Sequence, residues 1–380
     1  MRFPLILLWS FFSSFGLLAQ EVSTLQSSPG TGYEAIAWSP SGKIYTVDFT
    51  QGRVFSIGLD GTRQLLADNL PGPLGAAFDS EDNFYFSGYN NGRIYRIDPT
   101  GALSEIGSGF GGPAGILVDT AQQRLFVSDY NNSRIYTLDL TNGQRGLLAS
   151  GSGLNGPDGI VFAPNGDLLV ANFNNNRISR VTLSGTVTAF ANLTDSPNSG
   201  YLQAFDEEYL IAGFNSHQIW KISPTGTVSV FAGTGNPGGI DGPHDQATFS
   251  QPNGLAINAL GDSILVTEGA TGKIRLITGV VTSTGWIEGQ SNKLSPIQIS
   301  PNPSQGALGL VFDLKRSGPL RVQLFDSAGR DLGIIAEGQF VQGSQNWPLE
   351  LPDRLMQGQY QLLLLQEQRL IGRAELLFIE

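Results

Sequence analysis

Short apolar runs separated by Asn-, Gly- and Pro-rich breaks fill the chain from residue 33 to about 280, and they are of two kinds. Leu168-Leu169-Val170-Ala171 is continuous, as a strand covered on both faces must be. Arg93-Ile94-Tyr95-Arg96-Ile97 alternates, as a strand with one wet face does. The breaks Asn90-Asn91-Gly92, Asn131-Asn132 and Asn174-Asn175-Asn176 tolerate positive φ and suit tight hairpins. The runs also recur in order: Gly75-Ala76-Ala77-Phe78, Asn83-Phe84-Tyr85-Phe86, then Asn91-Gly92-Arg93-Ile94. The last block returns with anchors at 53, 93, 134, 177, 218 and 273, so the intervals are 40, 41, 43, 41 and 55. Most units open on Pro-x-Gly, at Pro73, Pro113, Pro157 and Pro252.

Four strands in each of six units predict an all-β fold, a six-bladed β-propeller. A solenoid has the same kind of period, but no unit looks like a capping repeat, and a closed ring needs none. Val22-Ser23-Thr24-Leu25 looks like the outer strands Val187-Thr188-Ala189-Phe190 and Val228-Ser229-Val230-Phe231, so the N-terminus is expected to complete the last blade. Residues 280–284 are the competing segment. The units resemble NHL repeats. The best match runs through Val230-Phe231-Ala232-Gly233-Thr234-Gly235, Gly239-Ile240-Asp241-Gly242, Gln251-Pro252-Asn253-Gly254-Leu255 and Lys273-Ile274-Arg275, a long form that accounts for the 55-residue interval. The first unit, Tyr33-Glu34-Ala35-Ile36-Ala37-Trp38 with Lys43-Ile44-Tyr45-Thr46-Val47-Asp48, is similar to the opening blade of the senescence-marker/gluconolactonase (SMP-30) propellers.

The repeat stops near residue 285 and a linker is expected over 286–296. Residues 297–380 alternate again, at Leu308, Leu310, Phe312 and Leu314, at Leu320, Val322 and Leu324, and at Tyr360, Leu362 and Leu364. About seven strands in that length predict a small Ig-like antiparallel β-sandwich. Pro301-Asn302-Pro303, Val322-Gln323-Leu324-Phe325-Asp326-Ser327-Ala328-Gly329-Arg330, Leu355-Met356-Gln357-Gly358-Gln359-Tyr360 and Leu376-Leu377-Phe378-Ile379 resemble the type A sorting domain of type IX secretion. The resemblance implies that this module is read by the type IX machinery and that the cargo is released or held at the outer surface. Glu380 departs from the family, whose members commonly end on a basic residue. An Ig-like accessory domain that binds carbohydrate or protein is the alternative.

Composition narrows the chemistry. Residues 1–19 carry Arg2, an apolar run and small residues before Gln20, the pattern of a secretory signal peptide. The protein is therefore expected to be exported through the periplasm and secreted or attached to the outer surface, and no later segment is apolar enough for a transmembrane helix. Twenty-two Lys and Arg against 33 Asp and Glu give a net charge of −11, which repels nucleic acid and acidic lipid. There is no Cys, which excludes thiolate chemistry and disulfides. With only His217 and His244, a multi-His zinc site is excluded too.

A propeller gathers equivalent positions around its axis. The x of Pro-x-Gly and its equivalents is Glu34, Leu74, Ala114, Asp158, Asn198 or Ser199, and Asn253. Carboxylate and amide oxygens then line one side of the channel mouth and apolar groups the other. Such donors suit Ca²⁺ or another divalent cation, with Glu34, Asp158, Asn198 and Asn253 as the metal ligands. In the gluconolactonase family a first-blade Glu, two Asn and an Asp hold the metal, and the Asp is also the base. The resemblance implies those roles for Glu34 and, as catalytic base, Asp158, while Ala114 stands where an Asn is wanted. The two functions in view are an exported propeller that binds a glycan, small molecule or protein, and a divalent-metal-dependent lactonase or ester hydrolase. The recurring Asp48, Asp129, Asn172 and Glu268 are expected to tie down hairpins through backbone N–H groups. The Arg and Lys anchors are expected to pack by their stems, and Trp38, Trp220 and Trp286 to be core or rim aromatics.

Overall fold

The computed structural model describes residues 20–27, 32–151, 153–193, 198–205, 208–258, 261, 263–278, 297–302, 304, 307–314, 317–326, 331–352, 355–366 and 369–378. The expected signal peptide at 1–19, the linker at 286–296, the segment 280–284, Pro197 and Trp286 lie outside these residues. Apart from one short 3₁₀ turn at Thr120–Gln122, the regular structure of the described residues is all strand.

From residue 33 to 232 the strands form five four-stranded antiparallel sheets, each built from four consecutive strands. Their first strands are Tyr33–Trp38, Pro73–Phe78, Pro113–Asp119, Pro157–Phe162 and Ser199–Phe205. A sixth sheet is ordered Gly242–Pro243, Glu21–Ser27, Lys273–Thr278, Ile264–Glu268, Pro252–Ile257. Each first strand packs against the first strand of the next sheet, and Pro252–Ile257 packs against Tyr33–Trp38, which closes the circuit. This is a β-propeller arrangement. Second strands are buried throughout, as in Phe84–Gly88 and Leu168–Asn172, while outer strands such as Arg63–Ala67 are mostly exposed. The continuous and alternating runs of the sequence therefore sort by distance from the axis.

The Gly of Pro-x-Gly is fixed by this packing. A Cβ on Gly75 would lie 1.8 Å from the Ala114 carbonyl oxygen, and one on Gly115 2.1 Å from that of Asp158. A second-strand hydroxyl completes the joint. Ser128 Oγ accepts from Gly115 N–H at 2.7 Å and donates to the Asp158 carbonyl at 2.7 Å. Ser87 does the same between Gly75 and Ala114, and Thr267 between Gly254 and Glu34. The hydroxyl thus fixes the height of the neighbouring sheet's x residue in the channel.

The N-terminal strand closes the ring as expected. Glu21–Ser27 runs antiparallel to Lys273–Thr278, with Val22 opposite Ile277. Asp241 in the long sixth-repeat loop accepts from Thr24 N–H and Oγ1–H, at 3.1 and 2.8 Å. Arg275, fully buried, donates to Asp241 at 2.7 Å, to Glu268 at 2.8 Å and to the carbonyls of Thr248 and Ile240.

The C-terminal residues form a three-stranded sheet (Gln298–Ser300, Ala307–Leu314, Gly343–Glu350) and a four-stranded sheet ordered Asp331–Phe340, Gly318–Asp326, Gly358–Gln366, Arg369–Phe378. One apolar core, with Leu308, Leu310, Phe312, Val322, Leu324 and Leu364, is shared by both.

Candidate functional site

Strand register identifies the channel positions. Pro73, Pro113, Pro157, Ser199, Pro252 and Tyr33 all face the last residue of their second strand, so the next residues are equivalent: Leu74, Ala114, Asp158, Gly200, Asn253 and Glu34. Five of these match the sequence expectation; the fifth unit is corrected. Ser199 occupies the Pro position and Gly200 the x position. Asn198, expected as a ligand, lies before the strand at φ 57° and ties loops instead. Its N–H donates to Asn176 Oδ1 at 2.9 Å, its Nδ2 to the Phe173 carbonyl, and its Oδ1 accepts from Asn215.

Glu34, Asp158 and Asn253 do converge. Asn253 Nδ2 donates to a Glu34 carboxylate oxygen. Asn253 Oδ1 and Asp158 Oδ2 lie 2.8 and 3.2 Å from where a Cβ on Gly200 would sit, so glycine there leaves room for both. Asp158 and Asn253 are buried, and Glu34 and Leu74 are half-buried. Burial, helped by the negative charges of Asp158 and Asp48, pushes the Glu34 carboxyl up to about 8. Burial alone pushes Asp158 up to about 7. Near neutral pH the pair therefore retains a proton, which lets it donate as well as accept.

Tyr201 was not anticipated. It replaces the Gly of Pro-x-Gly in the fifth unit, and it belongs to the apolar cluster of Ala35, Val47, Phe84 and Phe86 from the first and second sheets. Burial and the carboxylates of Asp158 and Glu34 raise its phenol well above the usual range. Among the described residues, neither the Tyr201 hydroxyl nor Asp158 Oδ1 has a hydrogen-bond partner.

A second ring went unread although it repeats once per unit. The residue after each second strand is Phe49, Tyr89, Tyr130, Phe173, Phe214 and Gly269. Successive ring centroids are 6.0, 6.2, 6.2 and 6.1 Å apart, so five half-buried aromatics form an arc broken at Gly269. They flank the start of the first strands, the end of the sheets that carries Glu34 and Asp158. Tyr89 and Tyr130 are held by hydroxyl bonds to Asn131 and Asn174, at 2.9 and 2.7 Å.

The remaining expectations concern support. Asp48 accepts from Gln51 N–H, Asp129 from the N–H groups of Gly111, Gly112 and Asn132, Asn172 from Asn155 N–H and Glu268 from Ser250 N–H. His217 holds φ 56° and accepts from Gln251 N–H. Trp220 is buried and Trp38 half-buried. Among the described residues no three His, Cys, Asp or Glu side chains are grouped as a metal site, and no helix is long and apolar enough to cross a membrane.

Residues 75–199 match the model of the SMP-30/Gluconolactonase/LRE-like region. No curated protein sequence matches the chain. Solved structures share the fold. An auxiliary nutrient binding protein from Bacteroides ovatus superposes with a TM-score of 0.60 at 14% identity, covering 68% of this chain and 76% of that one. A gluconolactonase from Xanthomonas campestris gives 0.56 at 14% identity, covering 68% and 89%. Virginiamycin B lyase from Staphylococcus aureus, solved with quinupristin, gives 0.53 at 19% identity, covering 68% and 99%. The fold is that of a β-propeller, and residues 75–199 within it are similar to the SMP-30/Gluconolactonase/LRE-like region.

Proposed function

We propose that the chain is an exported binding protein. Residues 1–19 are its signal peptide, residues 20–285 a six-bladed NHL-type propeller, and residues 297–380 an Ig-like type A sorting domain read by the type IX machinery. The protein then acts at the outer surface or in the medium, binding a ligand at the channel mouth. The observation that carries this reading is the convergence of Glu34, Asp158 and Asn253 beside buried polar atoms, Asp158 Oδ1 and Tyr201 Oη, that no group among the described residues satisfies. Leaving such atoms unpaired costs about 1–3 kcal/mol each, a cost that a bound ligand offsets. The nutrient-binding propeller from Bacteroides ovatus supports the same role.

Hydrolysis assisted by Ca²⁺ or another divalent cation is the other reading carried by these oxygens. Glu34, Asp158 and Asn253 Oδ1 offer at most five oxygens from three side chains, so Ca²⁺, which takes about 6–8, would rely on water for the rest. Ala114 and Gly200 occupy the positions from which further side chains would reach, and Asn198 points its oxygen at Asn215. With no side-chain oxygen at the x positions of the second, third and fifth sheets the shell is thinly supplied by protein, so ligand binding is preferred. Calorimetry of the full chain against a glycan and lactone panel, with Ca²⁺, Mg²⁺, Mn²⁺ and Zn²⁺ run alone, tests both. Saturable binding of a panel compound, weakened by Glu34→Gln with Asp158→Asn, is the expected result. Tight binding of a metal accompanied by lactone turnover would replace it with the hydrolase.

A further inference from the structure

The ligand-binding reading says where a ligand sits; the surroundings of that site say what charge it carries. Four spacings of about 6 Å between aromatics, one from each successive sheet, fit a ring whose centroids lie about 6 Å from the axis, because a hexagon's radius equals its side. Phe49, Tyr89, Tyr130, Phe173 and Phe214 thus form a collar over the channel, wide enough for one small ring or one ammonium head. Gly269 is the gap in it, and a Cβ there would lie 3.1 Å from the Phe214 ring. Below the collar the charges acting on Glu34 are those of Asp158 and Asp48, both negative. Among the described residues no Lys, Arg or His forms an ion pair with Glu34 or Asp158. Asp158, only 8% exposed, keeps Oδ1 without a partner, and so does the hydroxyl of Tyr201, only 7% exposed.

We propose that the aromatic collar and the Glu34–Asp158 floor form one site for an organic cation, an ammonium or alkylammonium group on a compact body. The faces of aromatic rings attract a cation electrostatically, and Tyr and Phe hold one within about 6 Å of the ring centroid. With one proton retained, the carboxylate pair still carries one negative charge, for which the described residues supply no paired cation. A neutral sugar would satisfy hydrogen bonds but leave that charge uncompensated. A bare metal ion would make no use of the collar.

The test is calorimetric titration of the full chain with choline and with its uncharged isostere, in which carbon replaces the quaternary nitrogen. N-acetylglucosamine and Ca²⁺ are run in parallel. Choline is expected to saturate, with the isostere at least about tenfold weaker. Phe173→Leu keeps apolar bulk and removes the π face; it is expected to weaken choline about three- to tenfold, while Phe173→Tyr retains binding and shows that the site still folds. Glu34→Gln with Asp158→Asn should weaken choline and leave the isostere unchanged. Equal affinity for choline and isostere, or choline binding indifferent to Phe173→Leu, overturns the proposal. Binding of N-acetylglucosamine or Ca²⁺ but not choline, lost in the double variant, overturns the cation and keeps the channel mouth as a ligand site. No binding by any of these or by the wider panel overturns both.

Discussion

At the scale of single residues the channel holds groups whose burial works against their ionised forms. Glu34 moves from 4.5 to about 8 and Asp158 from 3.8 to about 7 on folding, so the folded chain binds these protons more tightly than the unfolded chain does. Their protonation therefore stabilises the fold; the contribution is full below the unfolded values and disappears as pH rises through the folded ones. The ligand-free protein should lose thermal stability between about pH 5 and 9, at roughly 2–4 °C for each kcal/mol in a domain of this size. Glu34→Gln with Asp158→Asn should flatten that slope. A midpoint that rises across the same range, followed by calorimetry at constant ionic strength, would contradict the assignment. Glycine at the sheet joints gives a second test. Gly115→Ala places a methyl 2.1 Å from a carbonyl oxygen that cannot move without shifting Asp158. A loss of about 2 kcal/mol or more in denaturant unfolding is expected, together with weaker ligand binding.

At the scale of elements, the first strands show what could be read from the chain and what could not. The Pro-x-Gly spacing located Leu74, Ala114, Asp158 and Asn253, because each Gly is demanded by a neighbouring backbone and so cannot drift, and Glu34, which is followed by Ala35, was placed as their equivalent in the first unit. It failed in the fifth unit, where Pro197 precedes the strand and Ser199 takes the paired position, which moves x to Gly200. Tyr201 was hidden for the same reason: with x expected at Asn198 or Ser199, one or two residues short of Gly200, it did not fall in the glycine column. The collar was legible in principle, as one aromatic after five of the six second strands, but strand ends read as turns when only alternation is followed. The closing strand was legible from its likeness to other outer strands, and its clamp was not. Arg275 and Glu268 are both 0% exposed, in different strands of the sixth sheet, and Asp241 reaches Arg275 from the long loop while holding Thr24. Glu268→Gln leaves a buried guanidinium short of one countercharge. It is expected to cost about 3–5 kcal/mol in denaturant unfolding, more than any surface pair here. Deleting residues 21–27 removes the same clamp from the other end and uncovers Lys273–Thr278. It should lower the thermal midpoint by a comparable amount, and an unchanged midpoint would show that the ring does not depend on this strand.

At the scale of the whole molecule, the two sequence regimes have separate cores. The apolar clusters built from residues 22–277 contain no residue of the C-terminal sheets, and the cluster around Leu310 and Val322 contains none of the propeller. Neither module needs the other to bury its apolar face, which is the condition for a delivery domain that can be removed after use. In a host with type IX secretion, a chain lacking residues 297–380 should therefore fold, with the propeller's thermal midpoint and ligand affinity unchanged, yet stay in the periplasm. The full chain should be found outside. Fractionation with a protease-accessibility assay separates the two cases, and the unchanged midpoint excludes misfolding as the cause of retention. If the shortened chain reaches the medium as efficiently as the full one, the C-terminal sheets are not an address. Their role would then be that of an accessory binding domain, and affinity for a surface glycan should be lost with them.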